Sequence, residues 1–308
     1  MIGGVLVVDK PKGLTSFDVL RRLRRHLGTK RIGHAGTLDP MATGVLVVAF
    51  GASTRLVPWL MAGEKTYEAR VLLGRVTTTD DVEGETLRRE RVSSIDRTSL
   101  EQVLNQFRGV IRQRPPSFSA IRVDGERSHR RARRGETVVL PEREVIVHDL
   151  VLLGAERDEL RLRCRVGSGT YVRSLARDIG EALGCGGTLS ALRRTAVEPF
   201  PVSDALTLSA LDDDPELVAS SLLTPWEALA RLPAVRLDDE EARRVSHGQR
   251  RAVPEAALAD VARADGPDSV IVRVGSPEGR LVAVAEVRPS PEHPEVLILH
   301  PLRVFPER

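Results

Sequence analysis

The stretch GHAGTLDPMATGVLVV, residues 33–48, combines a glycine-bordered turn, an Asp-Pro pair and an apolar run. The run continues as GVLVVAFG, residues 44–51, which predicts a buried strand. Pro40 confines the backbone of Asp39 to extended conformations, so the aspartate side chain has a fixed direction. An isolated Asp-Pro pair usually indicates only a turn. The rest of the sequence decides whether this carboxylate has a chemical role.

The chain has 308 residues, of which 41% are hydrophobic, so it is long enough for one large or two ordinary globular domains. Lys and Arg number 46 against 43 Asp and Glu, a formal net charge of +3. The basic residues concentrate at 21–34 and 122–136, whereas acidic residues gather at 80–85, 212–214 and 238–241. This distribution predicts local positive surfaces that would suit a polyanion.

The sequence lacks the marks of most cofactor chemistry. It contains no P-loop, no dinucleotide-binding glycine motif, no HExxH and no paired CxxC, and its seven histidines are scattered. We therefore expect no metal ion and no small-molecule cofactor, and we interpret Cys164 and Cys185 as reduced packing residues. An aspartate that works without a cofactor suits nucleophilic or acid–base chemistry on a bound substrate.

The N-terminal sequence and the hydropathy predict a cytoplasmic protein. The first residues lack a basic segment and a cleavage signature, so no signal peptide is expected. No apolar run approaches the roughly 20 residues that a membrane-spanning helix needs. We therefore expect no membrane partner.

Strand and helix patterns alternate irregularly along the chain. Residues 15–28 predict a capped helix with Phe17, Leu20, Leu23 and Leu27 on its buried face. The other patterns predict strands at 4–10 and 65–74, a helix at 99–109, two strands within 143–167, a helix after 169, a helix at 238–249, a hairpin at 269–287 and a strand at 295–305. Such a mixture predicts an α+β fold rather than a regular βαβ alternation.

Five segments resemble, in order and spacing, the bacterial tRNA pseudouridine synthases of the TruB family. They are GVLVVDKPKGLTSFDV at 4–19, RIGHAGTLDPMATGVLVV at 31–48, KTYEARVLLG at 65–74, GSGTYVRSLARDIGEALG at 167–184 and LSALRRTAV at 189–197. The resemblance covers roughly residues 3–200. A single one of these motifs is weak, but the ordered set is specific.

The resemblance implies a pseudouridine synthase fold, with a mixed, largely antiparallel sheet flanked by helices. It also implies a catalytic domain at 1–231 and a small C-terminal β-rich, PUA-like RNA-binding domain at 232–308. Within the first domain, residues 112–140 fall where the family has its RNA-clamping thumb loop. We expect a monomer.

The implied activity is that of an isomerase that converts the uridine at position 55 in the T-loop of tRNA to pseudouridine after flipping the base. By resemblance, Asp39 is the catalytic carboxylate, Arg173 pairs with it, and Tyr67 stacks on the target base. Attack on C1′, attack on the base and removal of a ribose proton stay open as routes. Each of these routes needs the ionised aspartate.

The resemblance assigns substrate-binding roles to four further residues. His34 props the flipped base or fills its gap, Tyr171 forms a wall of the site, and Leu192 packs against the uracil. Lys10 has a structural or electrostatic role. The expected partner is tRNA, contacted at the T-loop and the acceptor arm.

The basic thumb segment predicts contacts to the RNA backbone, made by Arg130, Arg131, Arg133 and Arg134. It departs from the family because Phe118 stands where a tyrosine is common and because the segment is more basic and less aromatic. Two alternatives stay open at this point. One is a tRNA folding chaperone or RNA-binding protein, and the other is a pseudouridine synthase acting on another RNA.

Overall fold

The computed structural model describes most of the chain, and the fold below is that of these residues: 3–119, 121–123, 125–136, 138–214, 216–254, 269–294 and 296–305. The strands are β1 (Gly3–Lys10), β2 (Ile32–His34), β3 (Thr43–Gly51), β4 (Lys65–Leu73), β5 (Arg75–Thr77), β6 (Thr86–Arg89), β7 (Gly109–Gln113), β8 (Arg122–Val123), β9 (Glu126–Arg127), β10 (Arg143–Glu156), β11 (Glu159–Val166), β12 (Gly187–Val197), β13 (Phe200–Pro201), β14 (Leu206–Thr207), β15 (Ala234–Arg236), β16 (Arg251–Ala252), β17 (Val270–Gly275), β18 (Leu281–Pro289) and β19 (Leu297–Val304).

Helices cover shorter parts of the chain. The α-helices are α1 (Ser16–Leu27), α2 (Val57–Ala62), α3 (Arg97–Asn105), α4 (Ser128–Arg133), α5 (Val172–Ala182), α6 (Leu208–Asp213), α7 (Glu216–Ser220) and α8 (Asp239–Ser246), and 3₁₀ turns lie at Ala52–Leu56, Val202–Asp204 and Glu227–Leu229. The α+β prediction is confirmed.

One mixed sheet forms the main body. Its strands follow the order β14-β1-β3-β12-β4-β11-β10-β7, with β2 and β13 attached to β3 and β12. The β1–β14 and β3–β12 pairs are parallel, and the other pairs along this path are antiparallel. The expected mixed, largely antiparallel sheet is therefore confirmed. The parallel β3–β12 pair brings together two strands whose sequences are about 150 residues apart, which a local pattern does not show.

Strand periodicity explains which side of the sheet each element covers. β3 is buried on both faces, as its continuous apolar sequence predicts. In β4 the alternation places Tyr67, Ala69, Val71 and Leu73 on the buried face, where they pack with α5 in one apolar cluster. The two cysteines also lie in this cluster, and both are free thiols.

Helix α1 begins at a capping box, as its sequence predicts. The Thr15 side chain accepts from the Asp18 amide, and the Asp18 carboxylate accepts from the Thr15 amide at 3.0 Å. The prediction of Phe17 on the buried face is wrong, because its side chain is 57% exposed. Ser16 and Val19 belong to the buried face instead, with the three leucines of the helix. The position of Phe17 lies about a quarter turn away from the centre of that face.

A second, five-stranded sheet of order β15-β17-β18-β19-β16 follows the main body. It begins at Ala234, close to the predicted domain boundary, and confirms the β-rich character of the C-terminal part. Residues 255–268 and 306–308 of the predicted domain lie outside the described residues. In the described part of the chain, none of the helices is both long and apolar enough to cross a bilayer.

The two sheets share an apolar cluster. Trp226, Leu281 and Phe305 pack with residues of β1 and β3 in this cluster. The Arg55 guanidinium lies 4.4 Å from the centroid of the Phe305 ring, and it also donates to the carbonyl of Val304. These contacts hold the C-terminal sheet against the side chains on one face of β1 and β3.

Gly44, at the start of β3, is required by a close backbone approach. Its φ is +104°, and a Cβ added there would lie 2.1 Å from the carbonyl oxygen of Arg194. Gly44→Ala should lower the free energy of unfolding by about 3 kcal/mol or more, because it combines backbone strain with overpacking. Chemical denaturation measures this loss.

Gly13→Ala is the matched control for that substitution. Gly13 also has a positive φ, +88°, but a Cβ there meets nothing within 4 Å. It should cost only the backbone strain, about 1–2 kcal/mol. Equal losses at the two positions would contradict the close approach at Gly44.

Candidate active site

The turn that carries Asp39 is fastened to its neighbours through backbone groups. The Ser16 hydroxyl accepts from the Leu38 amide at 2.9 Å and donates to the Leu38 carbonyl. On the other side of the aspartate, the Pro40 carbonyl accepts from the Gly13 amide at 2.8 Å. The turn is therefore tied to the start of α1 and to the loop that precedes it. Its carboxylate is 35% exposed and faces a cleft.

Arg173, from the first turn of α5, forms an ion pair with this carboxylate. Its Nε lies 2.9 Å from Oδ2 of Asp39, and its Nη2 lies 3.2 Å from Oδ1. The Nη2 contact is a hydrogen bond and the Nε contact is electrostatic, and together they hold the carboxylate beside the guanidinium. The structure therefore brings together two residues that are 134 positions apart in the sequence.

The same guanidinium contacts two further segments. Its Nη1 donates to the Thr79 carbonyl at 2.9 Å and lies 3.6 Å from a carboxylate oxygen of Asp81. Its Nη2 donates to the Phe118 carbonyl at 2.9 Å. Arg173 is only 5% exposed, so these oxygens replace the water that it loses on burial. Sequence reasoning missed Asp81, which lies in an acidic run typical of a solvated surface.

Tyr67 and Leu192 stand on one face of the main sheet, at the floor of the cleft. Tyr67 on β4 pairs with Arg194 on β12, and Leu192 pairs with Ala69. Opposite residues of an antiparallel pair share a face, so the tyrosine and the leucine are diagonal neighbours. The cleft has a volume of about 820 Å³, and its walls include Asp39 and Arg173. Ligand sites commonly have volumes of about 300–1,000 Å³.

His34, on β2, lines the same cleft, and its substrate-binding role stays a prediction. Burial and the positive charge of Arg194 lower the pKa of its imidazole, so His34 is neutral at pH 7. Its Nδ1 atom is buried without a hydrogen-bond partner among the described residues. A buried nitrogen without a partner carries a desolvation cost, which the neutral form of the imidazole keeps smaller than the charged form would.

Lys10 is predicted as a substrate-binding residue with a structural or electrostatic role, and the structure places it behind the turn. Its side chain is fully buried, and the described cleft walls do not include it. Its Nζ donates to the carbonyls of Pro11 at 2.9 Å, Leu14 at 2.7 Å and Pro40 at 3.4 Å. The geometry therefore favours the structural part of the assignment.

Tyr171 forms part of the cleft wall just before α5. Its amide and carbonyl are both bound by the side chain of Gln113, at 2.8 and 3.1 Å. The Arg143 guanidinium lies 5.1 Å from the centroid of its ring. This arrangement fixes the backbone immediately before Val172 and Arg173.

The predicted thumb contains α4 and the short β8–β9 ribbon. The structure engages two of its arginines with acidic side chains of the same segment. Arg134 pairs with Glu126 at 2.6 Å and with Glu136 at 2.7 Å, and Arg131 pairs with Glu136. Arg130 is exposed on α4. The side chain of Arg133 lies outside the described residues.

Arg194 is the second functional residue that sequence reasoning missed. It is almost completely buried and donates to the carbonyls of Val45 at 2.6 Å and Gly36 at 3.2 Å. It thereby joins β12 to the glycine-bordered turn ahead of Asp39. The alternation of β12 could have indicated it, because Arg194 shares a strand face with Leu192.

The part of the chain that the structure covers contains no cluster of three or more His, Cys, Asp or Glu side chains that could hold a metal ion. At the cleft wall, the Asp39 carboxylate pairs with Arg173. Asp80 precedes the cleft-lining Asp81 but is not among the described lining residues, and it binds Arg177 at 2.8 Å. Desolvation raises the pKa of the Asp80 carboxyl despite this partner.

Two family models match consecutive parts of the chain. The model described as TruB family pseudouridylate synthase (N terminal domain) matches residues 24–172. The model described as tRNA pseudouridylate synthase B C-terminal domain matches residues 173–230. The second match includes α5 and β12, which supply Arg173 and Leu192 to the cleft.

Curated relatives cover almost the whole chain. A tRNA pseudouridine synthase B from Thermobifida fusca (strain YX) is 47% identical over 307 residues, which span 96% of this chain and 99% of that protein. The protein of the same name from Synechococcus sp. (strain WH7803) is 49% identical over 255 residues, or 80% of this chain and 84% of that protein. The one from Xanthomonas axonopodis pv. citri (strain 306) is 42% identical over 292 residues, which span 94% of this chain and 92% of that protein.

Solved structures share the fold over nearly its full length. A chain of "Crystal Structure of a Cbf5-Nop10-Gar1 Complex" has a TM-score of 0.76 and 27% identity, and the match covers 99% of this chain and 85% of that one. A chain of "Structure of H/ACA RNP bound to a substrate RNA containing 2'-deoxyuridine" has a TM-score of 0.74 and 26% identity, and the match covers 99% of this chain and 86% of that one.

Arg194 should control the protonation of His34. Arg194→Met removes a buried positive charge beside the imidazole, so the pKa of His34 should rise toward its usual value. A histidine titration followed by NMR measures the change. Arg193→Met is the control, because Arg193 pairs with Asp9 at 2.7 Å and belongs to the other strand face. An unchanged His34 pKa in Arg194→Met would contradict the assignment.

The Lys10 contribution to the free energy of unfolding should increase as the pH rises from 8 to 10. Burial lowers its pKa to about 8 in the folded protein, against 10.5 for an unburied lysine. Between these values the unfolded chain binds more protons, so the Lys10 contribution to stability increases as the pH rises. Relative to Lys10→Met, the wild type should therefore gain stability from pH 8 to pH 10, as measured by denaturant unfolding. Parallel pH profiles for the two proteins would contradict this.

Proposed function

This chain belongs to the TruB family of pseudouridylate synthases, and we propose that it converts the uridine at position 55 in the T-loop of tRNA to pseudouridine. Relatives from three organisms, at 42–49% identity, carry the name tRNA pseudouridine synthase B, which supports tRNA as the substrate. The observation that carries the proposal is the Asp39–Arg173 ion pair at the wall of a nucleotide-sized cleft.

The reaction rearranges one nucleotide without redox change. The glycosidic bond from C1′ to N1 of uracil breaks, the base turns, and a new bond joins C1′ to C5. The proton on C5 leaves, and N1 gains one. Asp39 supplies the ionised carboxylate that the three possible routes share, and Arg173 stabilises its charge when the substrate displaces water.

A base inside a folded T-loop cannot reach this carboxylate, so the nucleotide must leave its stack. Flipping costs a few kcal/mol of stacking and pairing energy. In the proposed complex, the uracil packs against Tyr67 and Leu192 on the floor of the cleft. The neutral imidazole of His34, which lines the cleft, props the flipped nucleotide. Tyr67 is also the candidate for handling the C5 proton.

The remaining surface would bind the tRNA body. We assign the catalytic role to residues 1–231, the clamping role to the 112–140 thumb, and binding of the acceptor arm to residues 232–308. Arginine contacts to phosphates would make the affinity strongly salt-dependent. In the thumb, Arg131 and Arg134 must exchange Glu126 and Glu136 for phosphates, so this clamp forms at the expense of existing ion pairs.

A tritium-release assay tests the proposal. The substrate is a T-loop stem–loop transcript whose uracil carries tritium at C5, and the variants are Asp39→Asn and, as a control of the same chemical change, the exposed Asp204→Asn. Wild type and Asp204→Asn should release tritium at equal rates. Asp39→Asn should bind the RNA and release none, because the neutral amide supplies no carboxylate.

The other outcomes separate the alternatives. Release by Asp39→Asn at the wild-type rate would contradict the role of Asp39. Binding by every variant without any release would favour a tRNA folding chaperone. Release only from an rRNA or mRNA stem–loop would show a synthase for another RNA. Replacing uridine 55 with cytidine in the active transcript should abolish release and thereby locate the target.

A further inference from the structure

Phe17 is an exposed aromatic side chain at the mouth of the cleft. Its side chain is 57% exposed, and among the described residues it is the only aromatic one with a large exposed fraction. It lines the cleft together with Asp39. The mechanism described above does not use it. Contact between an apolar ring and water is unfavourable, and exposed apolar surface beside a cleft is typical of a binding site.

The position of Phe17 is fixed relative to Asp39. Its neighbour Ser16 hydrogen-bonds both the amide and the carbonyl of Leu38, the residue before the catalytic aspartate. The capping box at Thr15 fixes the first turn of α1 at the same point. The backbone that carries the ring is therefore fixed relative to the turn that carries the carboxylate, as a specific nucleotide contact requires.

The surroundings of the ring suit a nucleotide. The guanidinium of Arg24, two helical turns further along α1, lies 5.4 Å from the ring centroid. Met61 on α2 also lines the cleft and is 41% exposed. The mouth thus presents an aromatic ring and a flexible apolar side chain next to a cation. Stacked bases with an adjacent phosphate are recognised by this combination.

We propose that Phe17 is a stacking platform for an unpaired base of the RNA that lies next to the flipped uridine. The inference rests on the proposed function, since a base must leave its stack before its neighbour can be exposed. Arg24 would hold the ring and face the phosphate of that nucleotide. The thumb is poor in aromatic side chains, and Phe17 would supply a further π-face at the cleft.

An exposed phenylalanine could also contact a protein partner. The positive charge of the surrounding surface favours RNA instead. The same side of α1 carries the exposed Arg25, the half-buried Arg24 and Arg21, which pairs with Asp18 at 2.8 Å. Positive side chains attract a polyanion such as RNA and increase its binding affinity, whereas they give no such advantage to a protein surface of mixed charge. Because Phe17 lines the same cleft as Asp39, the RNA that enters the cleft must pass it.

The test measures RNA affinity in the Asp39→Asn protein, which binds the T-loop stem–loop without converting it. Phe17→Ala should weaken binding by about 5- to 150-fold, the range expected for the loss of one stacked base. Phe17→Tyr keeps the aromatic face and should bind as the parent does. Phe17→Leu keeps apolar area without a π-face and should resemble Phe17→Ala. Leu87→Ala, at a side chain that is 67% exposed on β6, is the control for loss of exposed apolar area.

Three further readouts separate stacking from other effects. The loss in Phe17→Ala should be the same at low and high salt, whereas Arg24→Gln should lower the salt dependence. With the active protein, Phe17→Ala should raise KM and leave kcat unchanged. 2-Aminopurine placed at each loop position in turn should be quenched at one position, and Phe17→Ala should restore its fluorescence.

The failures are distinguishable. If the wild type converts the T-loop transcript and Phe17→Ala binds it as tightly as its parent, the platform is wrong and the proposed function stands. If Phe17→Leu binds as the parent does, the contact is apolar packing and the stacking inference is wrong. If the wild type neither binds nor converts the transcript, the proposed function fails, and the inference that rests on it fails too.

Discussion

The guanidinium of Arg173 is the contact on which the cleft depends. It lies almost fully buried at the start of α5 and contacts oxygens from three other segments, which belong to Asp39, Thr79, Asp81 and Phe118. Burial of an unpaired cation costs several kcal/mol, so these segments must converge for the helix to dock on the sheet. Because the buried guanidinium needs oxygen partners from these segments, docking of α5 also places the Asp39 carboxylate at the wall of the cleft.

Rigidity around Asp39 comes from ordinary backbone contacts. Ser16, Lys10 and Arg194 each bind carbonyls of the turn, from α1, from the end of β1 and from β12. A reacting group held in this way needs little reorganisation when its substrate arrives. In the proposed function, the apolar sheet face with Tyr67 and Leu192 would supply a surface for a base, and the charged wall would supply the carboxylate. The structure shows an ion pair placed beside an apolar sheet face.

Much of the fold could be predicted from local patterns, because periodicity and caps report local structure directly. The alternation of β4 and the capping box of α1 are present in the structure as expected. The prediction for Phe17 is wrong because it rests on the apolar character of phenylalanine. The side of α1 that faces the core is the one that carries Ser16, Val19 and the three leucines. The Asp39–Arg173 contact joins residues 134 positions apart, and only the family resemblance indicated it. Asp81 and Arg194 stand in charged runs that are typical of surfaces, and only tertiary contacts bury them.

A structure of the Asp39→Asn protein bound to a T-loop stem–loop tests the central claim most directly. We predict that the nucleotide at position 55 lies outside the base stack, with its C1′ in van der Waals contact with the side chain of residue 39, roughly 3–3.5 Å away. Its uracil should pack against Tyr67 and Leu192, and Arg173 should keep its contacts to Asp81 and Phe118. A bound stem–loop whose uridine 55 remains stacked, or a flipped base that enters another part of the protein, would contradict the account.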